Sequence, residues 1–533
     1  MTDYRQFCAD FDPAVLAQTL HGDLGQDINA CIECCDRHVG EDRVALNWEG
    51  EDGSSRSLTF EDLQKRSAQV ANLLVRFGVQ PGDRVSGLLP RIPELVAFIL
   101  GAWRCGAVYQ PLFTAFGPKA IEHRLTSSDA KVVITDIANR PKLDGLDVTT
   151  MITTVGGHGD EIDFNLLADN ESDTFAPVMR QGDDGMLMMA TSGTTGLPKL
   201  LQIPLRALLA FDIYMRHVLE VRDDDVFWNI ADPGWAYGLY YAVTGPLLIG
   251  HQTTLYDGGF TVESTARVVE KLKVTNFAGA PTAYRMLIAA GPAASKPLAD
   301  NLRVASSAGE PLNPEVMRWF RDHIGCNLYD QYGQTECGMV LANHHGLKHP
   351  VREGSAGLPM PGFRLGVVTE QGEPVKQGDQ GILAVHRPDS PMFFFDGYLG
   401  REGQDWVGDW YLTGDTVEEN ADGSISFVGR SDDVITSSGY RIGPFDVESA
   451  LLEHDAVAES AVVGKPDPER GEIVKAFVIL QPGYDGNDDL AEELRQHVRT
   501  RLGKHAFPRE VAFPDALPKT PSGKIQRFIL RKE

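Results

Sequence analysis

The chain has 533 residues, 42% hydrophobic and 23% charged, an ordinary globular composition in a length too great for one hydrophobic core. A formal net charge of −26 argues against nucleic acid or an acidic membrane as the main partner. The longest apolar runs, such as Leu95 to Trp103, are too short for a membrane span, the start Met1-Thr-Asp-Tyr-Arg5 lacks a secretory leader pattern, and the cysteines are irregularly spaced; a cytoplasmic address is expected.

Cys31, Cys34 and Cys35, with His38 close behind, lie on one face of a helix expected from about Ile28 and read as core rather than as metal ligands. From Ser57 to Thr114 strand and helix alternate. Thr59 and Asp62 form a capping box; Leu63, Val70, Leu73, Leu74 and Phe77 follow at helical spacing, and Gly78 closes the helix. Arg84 to Pro90 reads as a strand, Ile92 to Cys105 as a helix, and Ala107 to Leu112 and Lys131 to Asp136 as strands, which predicts a parallel sheet covered by helices.

The apolar run Met186 to Ala190 predicts a buried strand leading into Thr191-Ser192-Gly193-Thr194-Thr195-Gly196-Leu197-Pro198-Lys199. Hydroxyls beside two glycines let a backbone curl and aim donors at one spot, and a lysine adds positive charge, which suits a phosphate chain. The spacing is not the Walker pattern. Further on come Asp232 to Gly238 with Trp235, Ala236 and Tyr237, then Ser307 to Pro311, then Tyr329-Asp330-Gln331-Tyr332-Gly333-Gln334-Thr335-Glu336. Tyr332 offers an aromatic face, Thr335 a hydroxyl, and Glu336 a carboxylate suited to the Mg²⁺ that travels with nucleotides. His344, His345 and His349 fall in an expected loop without carboxylates or thiols at ligand spacing. Tyr411 to Asp415, Gly429 to Asp433 and Ser438 to Glu448 follow, with Pro444 at an expected helix start. Strands at about 457–463 and 473–480, a helix over Asp488 to Leu502, and Pro518 to Lys524 complete the chain. The last 35 residues, from Arg499, hold nine basic and three acidic side chains, a cationic segment on an acidic protein.

Taken together, the stretches 191–199, 307–311, 329–336, 411–415, 429–433 and 518–524 resemble, in order, the motifs of the adenylate-forming acyl-CoA synthetases, and 433–444 with 466–472 are most similar to the short- and medium-chain branch. The resemblance implies an α/β fold. Its large N-terminal domain, residues 1–431, would hold stacked α/β sheet subdomains and a small β-barrel-like part; its small mobile α+β C-terminal domain would span 432–533, with a hinge at Asp432. It implies ATP, Mg²⁺ and coenzyme A as cofactors and small molecules as the only partners, and leaves the oligomeric state open. By that resemblance Thr191, Ser192, Gly193, Thr194, Thr195, Gly196 and Lys199 cradle the phosphates. Gly309, Glu310, Pro311, Asp330, Tyr332, Gln334 and Thr335 hold the adenine and α-phosphate, Asp415 and Arg430 the sugar and phosphate, and Arg441, which follows the Gly439 segment, is a further cofactor-binding residue. Glu336 holds the metal, and Lys524 is catalytic with Glu336, Thr191 and Lys199. Trp235, Ala236, Tyr237 and Gly333 line the acyl pocket, where Gly333 stands in place of the tryptophan of acetate-specific relatives and is expected to leave room for a longer acid. Gly439 and Arg499 serve CoA. The expected activity is AMP-forming ligation of a short- to medium-chain, branched or substituted carboxylate to CoA, the alternatives being an aryl-acid CoA ligase or a carrier-protein acyl-adenylating enzyme.

Overall fold

Thr59 and Asp62 cap the helix Phe60–Arg76 reciprocally: Asp62 Oδ2 accepts from Thr59 N at 2.9 Å, and Asp62 N donates to Thr59 Oγ1 at 3.1 Å. The helix buries Leu63, Val70, Leu73 and Leu74 against its neighbour Pro93–Arg104, itself almost wholly buried. The second of these helices packs on the first sheet. The computed structural model describes residues 2–40, 42–148, 150–157, 162–191, 198–401, 405–437, 440–468, 470–504, 506–520 and 524–533.

The first sheet has six strands in the order Met151–Val155, Ala130–Asp136, Arg84–Leu88, Val108–Pro111, Gly185–Thr191 and Lys199–Pro204. All are parallel except the last, which returns antiparallel along Gly185–Thr191 with Thr191 opposite Lys199. A second six-stranded sheet runs Phe227–Asn229, Asn276–Gly279, Val304–Ala308, Asn327–Gln334, Gly338–Ala342 and Leu358–Pro359, parallel through its first four strands. In the first sheet, Arg84–Leu88, Val108–Pro111, Ala130–Asp136 and Gly185–Thr191 are short, largely apolar runs of the kind a strand buried on both faces needs, and these are the strands that the sequence marks.

The part expected to be barrel-like is an antiparallel five-stranded sheet of Leu365–Val368, Gln380–His386, Trp410–Glu419, Trp406–Val407 and Ile425–Arg430; among the described residues no pairing closes it. Beyond it lies a separate sheet built on the long hairpin Val457–Asp467 and Gly471–Leu480, with helices Pro444–Leu452 and Asp488–Leu502 and a core of its own. The fold is thus α/β in the large part and α+β in the small one. Among the described residues no helix is long and apolar enough to cross a membrane.

Candidate active site

Thr191 and Lys199 face each other across two antiparallel strands; Ser192, Gly193, Thr194, Thr195 and Gly196 lie outside the described residues. Lys199 Nζ stands 4.4 Å over the ring of Tyr398 and 3.3 Å from Asp405 Oδ2. Tyr398 in turn donates to Glu336 Oε1 at 2.7 Å. Lys199 and the carboxylate of the 329–336 motif therefore share one tyrosine. Burial holds the Glu336 carboxyl above its usual range, with the Tyr398 hydroxyl and the field of Lys199 working against that shift. A buried carboxylate with one oxygen tied and only a lysine field nearby fits a divalent cation, which would supply the missing counter-charge. Neither Tyr398 nor Asp405 was found from sequence. Their partners lie 62 and 206 residues away, and no local pattern marks them.

A second group surrounds Asp415. Its Oδ2 accepts from the Tyr332 hydroxyl and, at 2.9 Å, from Gln334 Nε2, while Oδ1 lies 3.3 Å from Arg430 Nη1. Gln334 is fixed from its other end, where Tyr411 Oη donates to its Oε1 at 3.1 Å. Burial raises the Asp415 carboxyl, and Arg430, Tyr332, Gln334 and Lys524 pull it back down. Lys524 thus acts electrostatically on Asp415, across 109 residues of sequence. Lys524 itself is exposed, in a turn where Thr520 N donates to its carbonyl at 2.7 Å and its own N donates to Thr520 Oγ1 at 3.1 Å. Between the strand Val304–Ala308 and the helix Pro314–Trp319, Gly309 adopts φ +96°, a left-handed conformation that glycine takes without strain, and the next residue, Glu310, places its Oε2 3.3 Å from Arg285 Nη2. Asp330 is fully buried, accepts from Leu312 N at 3.1 Å, and is pushed up to about 8 by burial. The Thr335 carbonyl accepts from Tyr240 Oη at 3.0 Å.

Trp235 packs between Phe113 and Phe116, ring centroids 5.4 and 5.3 Å away, with Ala236 and Tyr237 beginning the next helix. The Tyr237 and Tyr214 hydroxyls lie 3.0 Å apart, and Tyr214 donates to Gln331. A Cβ at Gly333 would meet the Gly338 carbonyl oxygen at 2.1 Å and Met339 Cα at 2.7 Å. This glycine lets two backbones approach where the hairpin register shifts between Tyr332 and Gly333. Arg441 is exposed on the strand Tyr440–Ile442, and Gly439 lies outside the described residues. Arg499 is not brought to the Asp415 group; its guanidinium sits 5.6 Å from the ring of Phe507, which Arg495 and Arg509 also flank. Asp432 lies 3.8 Å from Arg430 Nε, and its carbonyl accepts from Arg531 at 2.9 Å. Cys31, Cys34 and Cys35 are core residues of and beside the helix Ala30–Cys34. Of the three expected loop histidines, His345 is buried, stacked on Tyr329 with its Nε2 3.0 Å from the Ala305 carbonyl, and His349 accepts from His344 N.

Comparison with known proteins gives this geometry a context. An AMP-binding enzyme family model matches residues 35–399, and an AMP-binding enzyme C-terminal domain model matches 446–524. Acetyl-coenzyme A synthetase of Bacillus subtilis is 38% identical over 544 residues, covering 100% of this chain and 95% of that protein. The mitochondrial acyl-coenzyme A synthetase ACSM3 of Mus musculus is 38% identical over 504 residues, covering 92% of this chain and 86% of its own. The crystal structure of an acyl-CoA synthetase from Brucella canis is 57% identical, covers 100% of this chain and 99% of that one, and superposes with a TM-score of 0.82. With matches that span both parts of the molecule, this chain belongs to the AMP-binding enzymes, in the adenylate-forming acyl-CoA synthetase superfamily.

Proposed function

We propose that this chain joins a short- to medium-chain carboxylic acid to coenzyme A at the expense of ATP, releasing AMP and pyrophosphate, and that it does so in the cytoplasm. Residues 1–431 bind ATP and the acid; residues 432–533 form a lid that turns at Asp432. In the first step an oxygen of the acid attacks the α-phosphorus, the bond to the pyrophosphate breaks, and an acyl-adenylate forms. Both reactants are anions, and two unit charges about 4 Å apart at an effective dielectric near 20 repel by roughly 4 kcal/mol. Lys524, inserted between them, turns that repulsion into attraction. Lys199 and the stretch from Thr191 to Gly196 cradle the phosphates, Asp415 receives the ribose hydroxyls with Arg430 beside it, and Gly309, Glu310, Pro311, Asp330 and Tyr332 border the adenine. Glu336 would hold a Mg²⁺ ion, which would supply positive charge for the pyrophosphate leaving group. In the second step the CoA thiol attacks the acyl carbon and AMP leaves with its electron pair on the phosphate oxygen. Gly439, Arg441 and Arg499 face CoA after the lid has turned.

What supports this reading above all is the cluster on Asp415, where the Tyr332 hydroxyl, Gln334 Nε2 at 2.9 Å and Arg430 Nη1 at 3.3 Å, from separate stretches of the chain, meet on one buried carboxylate. A panel of carboxylates assayed for pyrophosphate release with and without CoA tests it. We expect AMP, pyrophosphate and an acyl thioester. Lys524→Ala is expected to lose adenylation about a hundredfold or more while still converting supplied acyl-adenylate and CoA. ADP as the nucleotide product, or equal loss of both half-reactions in that variant, overturns the proposal.

A further inference from the structure

A chain of ion pairs crosses from the large part to the small one, and the steps above leave it unused. It begins at Glu310, in the turn after the strand Val304–Ala308, whose Oε2 lies 3.3 Å from both Thr282 Oγ1 and Arg285 Nη2. Arg285 rises from the helix Pro281–Ala294, and the same nitrogen stands 3.8 Å from Glu459 Oε1, on the small part's strand Val457–Asp467. Lys519 Nζ closes on both oxygens of Glu459, at 2.8 and 2.9 Å. Lys519 opens the turn that carries Lys524: it forms an antiparallel bridge with Ile525, and Gln526 N donates to Pro518 O at 2.9 Å. A second tie leaves the same nucleotide-side turn, where Asn313 Nδ2 donates to Ser449 Oγ at 2.8 Å in the helix Pro444–Leu452.

We infer that Arg285 is a positioning residue for adenylation: it bridges Glu310 to Glu459 and so seats the Glu459–Lys519 pair, and with it the turn of Lys524, against the nucleotide. The inference rests on the proposed two-step reading. With side chains 17%, 18% and 19% exposed, Arg285, Glu310 and Glu459 are partly shielded from solvent screening. Arg285 lies between two carboxylates on opposite sides of the joint. Removing its charge converts two attractions into one repulsion, which favours the arrangement with the small part turned away. Adenylation needs the present arrangement, and thioester formation needs the other. The residue therefore acts on one half-reaction.

The experiment uses the full-length enzyme with Arg285→Gln and Arg285→Lys. Adenylation is followed as acid-dependent pyrophosphate release in a single turnover, and thioester formation as AMP release from supplied acyl-adenylate and CoA. Arg285→Gln is expected to slow adenylation about five- to tenfold and to leave thioester formation within about twofold, and Arg285→Lys to recover most of the loss. Adding Glu459→Gln to Arg285→Gln is expected to cost less than Glu459→Gln costs the wild-type enzyme, because the Arg285 share of its interactions is already gone while the Lys519 share is not. Parallel loss of both half-reactions, or unchanged adenylation in Arg285→Gln, overturns the inference. Wild-type enzyme inactive in both assays overturns the parent reading instead, and this inference with it.

Discussion

Glu336 has one oxygen bonded to Tyr398 at 2.7 Å, and that tyrosine lies under Lys199. Groups that orient a metal-binding carboxylate commonly change metal affinity ten- to a hundredfold when lost. For Tyr398→Phe the Mg²⁺ concentration giving half-maximal adenylation is expected to rise about tenfold, with melting temperature nearly unchanged; an unchanged Mg²⁺ dependence would show that the hydroxyl does not orient Glu336. Asp330 carries a prediction of a different kind. Burial lifts its folded-state carboxyl to about 8, above the ordinary value of 3.8, so the unfolded chain releases this proton first and stability drains away as pH rises through that window. Asparagine cannot ionise and can still accept from Leu312 N. Melting curves at pH 5 and pH 8 are expected to favour Asp330→Asn over wild type by a few degrees more at pH 8, and an equal difference at both pH values would sink the argument. Residue by residue, the sequence revealed groups that sit inside motifs and missed those, such as Tyr398, Asp405 and Arg285, whose significance comes from a partner brought near by folding.

The hairpin of Asn327–Gln334 and Gly338–Ala342 carries Tyr332, Gln334 and, in its turn, Glu336. Gly333 sits at its register shift with no room for a methyl group, the nearest atom being a backbone carbonyl oxygen at 2.1 Å. Gly333→Ala is expected to cost about 1–3 kcal/mol, seen as a melting temperature several degrees lower, and to slow adenylation of every acid alike. Selective loss of the longest acids alone would instead support an acyl-pocket role for Gly333. Apolar runs and a capping box made the strands Arg84–Leu88, Val108–Pro111 and Ala130–Asp136 and the helices between them legible, because a buried strand and a capped helix are set by their own residues. The return strand Lys199–Pro204 and the π-helical turns Tyr214–Val218 and Leu239–Thr244 were not legible. Their form depends on neighbours distant in sequence, and π turns have no periodicity that a sequence pattern can match.

On the scale of the whole molecule, the motif order led to a two-part architecture, and composition alone would not have divided the chain. The ties across the joint, Arg285 to Glu459 and Asn313 to Ser449, follow only from how the parts rest on each other. The edge of the first sheet carries a further consequence. Leu399 N donates to Leu200 O at 2.8 Å, and Leu201 pairs with Tyr398, so the last strand of that sheet is covered by residues made about two hundred positions later. During synthesis on the ribosome the nascent polypeptide must therefore leave this border uncapped until residue 399 has emerged. An uncapped border is a template for pairing with another chain, so this interval is when premature termination or delayed chaperone engagement would turn a folding intermediate into aggregate.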